Sequence, residues 1–177
     1  MKSYKNRDEI IEKFRPYLSD ESKLCGTADE IYFAENEDDV IEVLEYAKAN
    51  GKKITVSAGR TGIVGGCVPQ GGIILVTEKM KLIGGIKEPK GVTTVTLQPG
   101  VTLEELNGYI ERESNGFFFP VDPTEKTGEL GGMVATNTSG SRSYSYGVMR
   151  EYVIGIKVVL PKSGILELKR GENPLEE

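Results

Sequence analysis

The stretch VSAGRTGIVGGCVP, residues 56–69, decides how this chain is read. Ser57, Ala58, Gly59, Gly62, Gly65 and Gly66 place six tiny residues within ten positions. An apolar-patterned run, KITV at residues 53–56, leads in, and GIILV at residues 72–76 leads out. The pattern is strand, glycine loop, strand. A loop nearly free of side chains lets a ligand approach the backbone, and successive free N–H groups in such a turn form an anion-binding concavity. Phosphate is the commonest biological fit to that concavity; a glycine-rich surface turn that binds nothing is the other reading. Two familiar phosphate motifs fail here. A Walker-type loop needs Lys followed by Ser or Thr, and a dinucleotide fingerprint needs G-x-G-x-x-G opening a helix. Gly59, Gly62 and Gly65 have the wrong spacing, and a strand follows. The loop belongs to another nucleotide-binding architecture.

Upstream, Asn36 reads as an N-cap, with acidic residues behind it and Gly51 as the stop. Val40, Ile41, Val43, Leu44 and Ala47 form the apolar face of that helix, and residues 29–34 precede it as a short strand. Strand, helix and strand predict a small parallel sheet. The glycine loop then lies at a strand's carboxyl end, where α/β sheets hold their ligands. Residues 8–15 predict a short helix with Ile10, Ile11 and Phe14 on one face and Pro16 close behind, a packing arm.

Downstream, residues 82–86 and 92–98 predict a hairpin. Thr102 and Glu105 form a capping box for a helix carrying Leu103, Leu106 and Ile110, stopped near Asn115 and Gly116. Residues 152–160 and 165–168 predict a second hairpin around the turn PKSG. Between them lies DPTEKTGELGGMVATNTSGSRSYSYGVMR, residues 122–150, almost devoid of large apolar side chains. About thirty residues without a core face are either functional or disordered. Their Gly, Ser, Thr and Asn content suits a wall against a polar, planar or phosphorylated ligand.

The 177 residues suit one domain, and the 22 glycines cluster in these two stretches. A net charge of −5 with interspersed signs argues against nucleic acid or an anionic membrane as partner. No apolar run is long enough to span a membrane, and the first residues lack the apolar core of a secretory signal. Cys25 and Cys67 make no metal or disulfide framework, so free thiols in the cytoplasm are expected. Histidine is absent, which removes His-based metal sites, Ser-His triads and the commonest acid–base group. Any chemistry must come from a cofactor or another polypeptide.

Together the two stretches resemble the FAD-binding domain of vanillyl-alcohol-oxidase (PCMH-type) flavoproteins, in the glycolate oxidase and D-lactate dehydrogenase branch, with alkyldihydroxyacetonephosphate synthase as a relative. The family's P-x-G-G-G-T-[GS]-x-x-x-G loop falls on residues 56–66. Its D-P, I-G-G-N-x-A-T-N-x-x-G, Y-G and R-[DE] elements fall on Asp122 and Pro123, on residues 130–140, on Tyr146 and Gly147, and on Arg150 and Glu151. The resemblance implies an α+β fold: a parallel β-α-β subdomain over residues 28–77 after an arm of residues 1–27, then a mixed or antiparallel subdomain over residues 78–177. It implies that Val56, Ser57, Ala58, Gly59, Arg60, Thr61 and Gly62 hold the FAD pyrophosphate. Asp122, Pro123, Thr124 and Gly128 would face the flavin. Thr136, Asn137, Thr138 and Ser139 would hold the diphosphate or adenosine side. Leu130, Gly131, Gly132, Ala135, Gly140, Tyr146 and Gly147 complete the motif. No catalytic or metal-ligating residue is assigned.

Three positions depart from the family pattern. Val56 replaces Pro, Met133 replaces Asn, and Arg60 replaces a Gly. No His stands near Thr61 for a covalent flavin link, so FAD is expected to be non-covalent. The later flavin-binding segment and the cap domain of such enzymes are not in this sequence. The chain therefore resembles their amino-terminal part, expected to be inactive alone and to pair with a cap-bearing polypeptide, an electron-transfer subunit or a second copy. Two other readings are a non-catalytic FAD-fold remnant and a domain like that of UDP-N-acetylenolpyruvoylglucosamine reductase.

Overall fold

Ile, Val and aromatic residues fill the strands of the first half, and their alternation sets which elements cover the sheet. The computed structural model describes residues 1–114, 116–161 and 164–171. Strand β1 (Lys2–Tyr4) leads into helix α1 (Arg7–Lys13), whose Asn6 cap accepts from the N–H groups of Asp8 and Glu9. A 3-10 turn (Arg15–Leu18) follows. Strand β2 (Glu30–Phe33), helix α2 (Glu37–Ala49), strand β3 (Ile54–Ser57) and strand β4 (Ile73–Val76) complete the unit. The sheet order is β1-β2-β4-β3, with β2 and β3 parallel to β4. Both β2 and β4 are buried at every position, as strands of a sheet covered on both faces must be. Ile31, Phe33, Ile74 and Val76 pack with Ile10 and Leu18 on one face. Tyr32, Ile73 and Leu75 pack with Val43, Ala47 and Met80 on the other.

The first 27 residues do more than form a helical arm, because β1 adds an antiparallel edge to the sheet opposite β2. Three residues carry no readable period; β1 is fixed by pairing and by Tyr4, whose ring lies 4.5 Å from Phe14. In α2 only Val43 and Ala47 are buried, so the core-facing stripe is narrower than its sequence pattern.

The second half holds the antiparallel pair β5 (Ile83–Lys87) and β6 (Thr94–Leu97), then helix α3 (Leu103–Glu113) with the expected Thr102–Glu105 capping box. Helices α4 (Leu130–Ala135) and α5 (Ser143–Tyr146), a 3-10 turn (Met149–Glu151) and the hairpin β7 (Gly155–Leu160) and β8 (Gly164–Lys169) follow. Asn115, the middle of the PKSG turn and residues 172–177 lie outside the described residues. One expectation is corrected: residues 122–150 do have a core face. Leu130, Met133 and Met149 are buried with Val101, Leu103, Leu106 and Val121. One helical turn puts Leu130 and Met133 on the same side, and too few apolar residues surround them to show a period. Met133 thus fills the core, where the family pattern had implied a polar partner.

Candidate cofactor site

Strand β3 ends at Ser57, which is fully buried, and the chain crosses to β4 through residues 58–72 without a helix. The far end of this crossover is tied to the N-terminal segment. Thr27 N–H donates to Pro69 O at 3.0 Å, Gly71 N–H donates to Thr27 O at 2.7 Å, and Gly26 is pressed against Pro69. The near end meets the second glycine stretch. A Cβ on Gly59 would stand 3.0 Å from Thr127 O and 3.3 Å from Glu129 N, and one on Gly132 would stand 3.3 Å from Ala58 Cβ. Thr61 Oγ1 faces Gly128. Among the described residues, no backbone N–H from Gly59 to Cys67 donates to a backbone carbonyl. A seam of glycines with free donors beside it fits a phosphorylated ligand.

Arg60 stands on this seam in the left-handed region, at φ 58°. Its Nη1 donates to Ala58 O at 2.8 Å and its guanidinium lies 4.3 Å above the Tyr17 ring. Glu78 lies 4.0 Å from Nη1 and accepts from the Tyr17 hydroxyl at 2.8 Å. Burial, then the Glu78 carboxylate, pushes Tyr17 up to about 12.

An open cleft of about 650 Å³ adjoins the seam, lined by Gly59, Arg60, Glu78, Lys79, Lys81, Thr127 and Glu129. Glu129 is only 5% exposed, and its Oε2 accepts from Thr77 Oγ1 at 3.0 Å. Burial drives its carboxyl up to about 7, with Glu78 adding to the rise and Thr77, Arg60 and Lys81 opposing it. None of Tyr17, Thr77, Glu78, Lys79, Lys81 or Glu129 was singled out by sequence. The available signal was TEKMK directly after β4, at the carboxyl end of a parallel strand, as the glycine loop is for β3.

Two groups of sequence-predicted residues emerge. Val56 is exposed on β3 and Ser57 is buried at its end. In the loop that follows, Ala58 faces Gly132, Gly59 packs against residues 127–129 and Thr61 faces Gly128, while Arg60 turns to Tyr17 and Gly62 has open space beside it. Leu130 and Gly131 also lie here, but their N–H groups donate to Val101 O and Pro99 O. The second group gathers around Asp122 and the end of α4. Asp122 pairs with Lys126 and, at 3.5 Å, Arg142, and accepts from Ser141 Oγ at 3.0 Å. Gly140 packs on the Asp122 backbone, and Pro123 and Thr124 follow it. Ala135 and Thr136 close α4, with Thr136 Oγ1 donating to Gly132 O at 2.9 Å and 3.0 Å from Thr138 Oγ1. Asn137, at φ 49°, accepts from Arg150 N–H at 3.0 Å, and Ser139 is exposed. Tyr146 meets Phe118 edge-on at 5.6 Å and leads to Gly147 at φ 87°.

Residues 28–169 match the family described as the FAD binding domain. The chain belongs to this FAD-binding-domain family. It is 37% identical over 165 residues to a D-lactate dehydrogenase of Anaerostipes hadrus, covering 91% of this chain and 33% of that protein. It is 35% identical over 141 residues to a glycolate oxidase subunit of Bacillus subtilis, covering 78% and 29%. The chain thus spans about a third of the length of these curated relatives. Among solved structures, 6-hydroxy-D-nicotine oxidase from Arthrobacter nicotinovorans superposes with a TM-score of 0.78 at 19% identity, over 98% of this chain and 36% of that one. Alkyldihydroxyacetonephosphate synthase gives 0.72 at 24% identity, over 85% and 27%.

The FAD-binding domain therefore has the PCMH-type α+β fold that its glycine stretches implied, and FAD is the cofactor of its family. Among the described residues, no helix of the domain is long and apolar enough to cross a membrane.

Proposed function

We propose that the chain holds FAD non-covalently along the seam between its two glycine stretches, as the cofactor-binding part of an oxidoreductase for 2-hydroxy acids of the D-lactate or glycolate type. The observation that carries this reading is the contact of Gly59 with residues 127–129, beside a run of backbone donors without backbone acceptors. The run from Ser57 to Gly62 holds the diphosphate, with Arg60 supplying a fixed cation. Asp122, Pro123, Thr124 and Gly128 face the flavin, and residues 136–139 hold the diphosphate or adenosine side. Bound flavin supplies hydride acceptance at N5. The chain's residues bind and orient it, and with no histidine in the sequence none can form a histidyl link to it. The base for the substrate hydroxyl and the cations for its carboxylate come from a further polypeptide segment. Both cysteines are free thiols, which suits the cytoplasm.

Purified protein incubated with FAD and desalted should keep a visible flavin spectrum, and acid precipitation should leave all the colour in the supernatant. A colourless protein overturns the cofactor reading; a yellow pellet overturns the non-covalent one. Anaerobic D-lactate or glycolate should bleach the flavin band only once a polypeptide supplying the base is added. Bleaching by other alcohols alone overturns the substrate class.

A further inference from the structure

Glu129 is an odd neighbour for a diphosphate site. Its backbone N lies against Gly59, at the centre of the glycine seam, the residue is only 5% exposed, and its carboxylate accepts a hydrogen bond from Thr77. An ionised carboxylate so placed repels an incoming diphosphate and is poorly solvated, two effects that add. The cations around it are partly committed. Lys81 pairs with Glu105 at 2.6 Å, Lys79 with Glu35 at 3.2 Å, and Arg60 shares its charge with Glu78 at 4.0 Å. Helix α4, which starts immediately after Glu129, brings no charged side chain to it.

We propose that Glu129 is a protonation gate on the cofactor site: FAD binds to the form in which this carboxyl is neutral, so that binding takes up one proton. The inference rests on the cofactor reading above and adds a coupling to pH. Neutral Glu129 removes the repulsion and becomes an O–H donor at the seam; ionised Glu129 holds the anion off. Of the groups around it, Tyr17 is pushed up to about 12, and Glu129 itself to about 7, so Glu129 is the carboxyl of this cleft that burial brings toward neutrality. The chain has no histidine to do the same elsewhere.

The test is a titration of the whole chain with FAD by flavin fluorescence at pH 6 and pH 8, with calorimetry in buffers of different ionisation enthalpy to count protons. A gate centred at about 7 makes affinity fall about ten-fold across this interval, because apparent affinity scales with the competent fraction. Glu129→Gln should bind equally at both pH values, with no proton uptake. Thr77→Val, which removes the donor to the carboxylate, should move the midpoint of the fall to higher pH. FAD bound with pH-independent affinity, or a fall unchanged in Glu129→Gln, overturns the gate and leaves the cofactor reading standing. Failure of both wild type and Glu129→Gln to bind FAD at either pH overturns the cofactor reading, and the gate with it. Circular dichroism of each variant confirms that the comparison is between folded proteins.

Discussion

The guanidinium of Arg60 lies 4.3 Å above the ring of Tyr17 while its own backbone sits at φ 58°. The left-handed conformation costs a non-glycine residue about 1–2 kcal/mol, and the stacking returns about 0.5–1 kcal/mol. Arg60→Gly is therefore expected to change stability by no more than about 1.5 kcal/mol. It should nevertheless weaken FAD binding about ten-fold or more, since a charge-assisted hydrogen bond contributes about 1.5–3 kcal/mol. Fluorescence titration of the variant checks this; equal or tighter binding would show that the strain outweighs the contact.

The glycines of the two stretches divide by what surrounds them. A Cβ on Gly131 would lie 2.5 Å from Pro99 Cβ, whereas one on Gly62 would meet nothing within 4 Å. Gly131→Ala should cost about 1–3 kcal/mol through overpacking. Gly62→Ala should leave stability within about 0.5 kcal/mol and instead reduce FAD affinity, if the ligand lies against that backbone. Urea unfolding and cofactor titration of the pair separate scaffold from cradle.

Glu129 ties stability to pH even without cofactor. The folded state keeps this proton up to about 7, whereas an ordinary Glu releases it near 4.5. Between those values the native chain binds more protons than the unfolded one, so stability falls as pH rises, by up to about 3 kcal/mol, and levels off above the folded value. Glu129→Gln should flatten this slope and be more stable than wild type at pH 8. Thermal melts from pH 5 to pH 8 are the check; parallel curves for the two proteins would refute it.

Glu30 works in the opposite sense. It is 3% exposed at the start of β2, and burial alone would raise its carboxyl, but Lys52, Tyr32 and Tyr46 together hold it below the usual value. The stability this supplies is present above the ordinary carboxylate range and is lost as acid protonates the folded state. Lys52→Met should cost about 1–3 kcal/mol at neutral pH and progressively less in acid, as read by denaturant unfolding.

Local signals were legible, and contacts between distant segments were not. Asn36 and the Thr102–Glu105 box announced their helices because caps are written within four residues. The parallel sheet followed from one strand-helix-strand pattern, and the glycine stretches implied the family that the comparison then showed. Strand β1 was invisible because three residues acquire strand character only by pairing with β2. Arg60 was noticed as a departure, but its resting place on Tyr17 depends on a chain reversal that no local pattern encodes. Glu129 read as one acid among many; what sets it apart is burial against Gly59 and Thr77, on two other strand ends.

The ties between Thr27 and the far end of the β3–β4 crossover bear on conformational entropy. Ordering a residue costs about 1–2 kcal/mol, so a crossover left loose along its whole length would charge most of the binding energy of any ligand that had to arrange it. Pro69 and Gly71 are already held by the N-terminal segment, so that cost is met when the chain folds, and what is left to arrange is the short span from Gly59 to Gly66. The first 27 residues, which also set Tyr17 under Arg60, thereby act on affinity through the order they impose in advance.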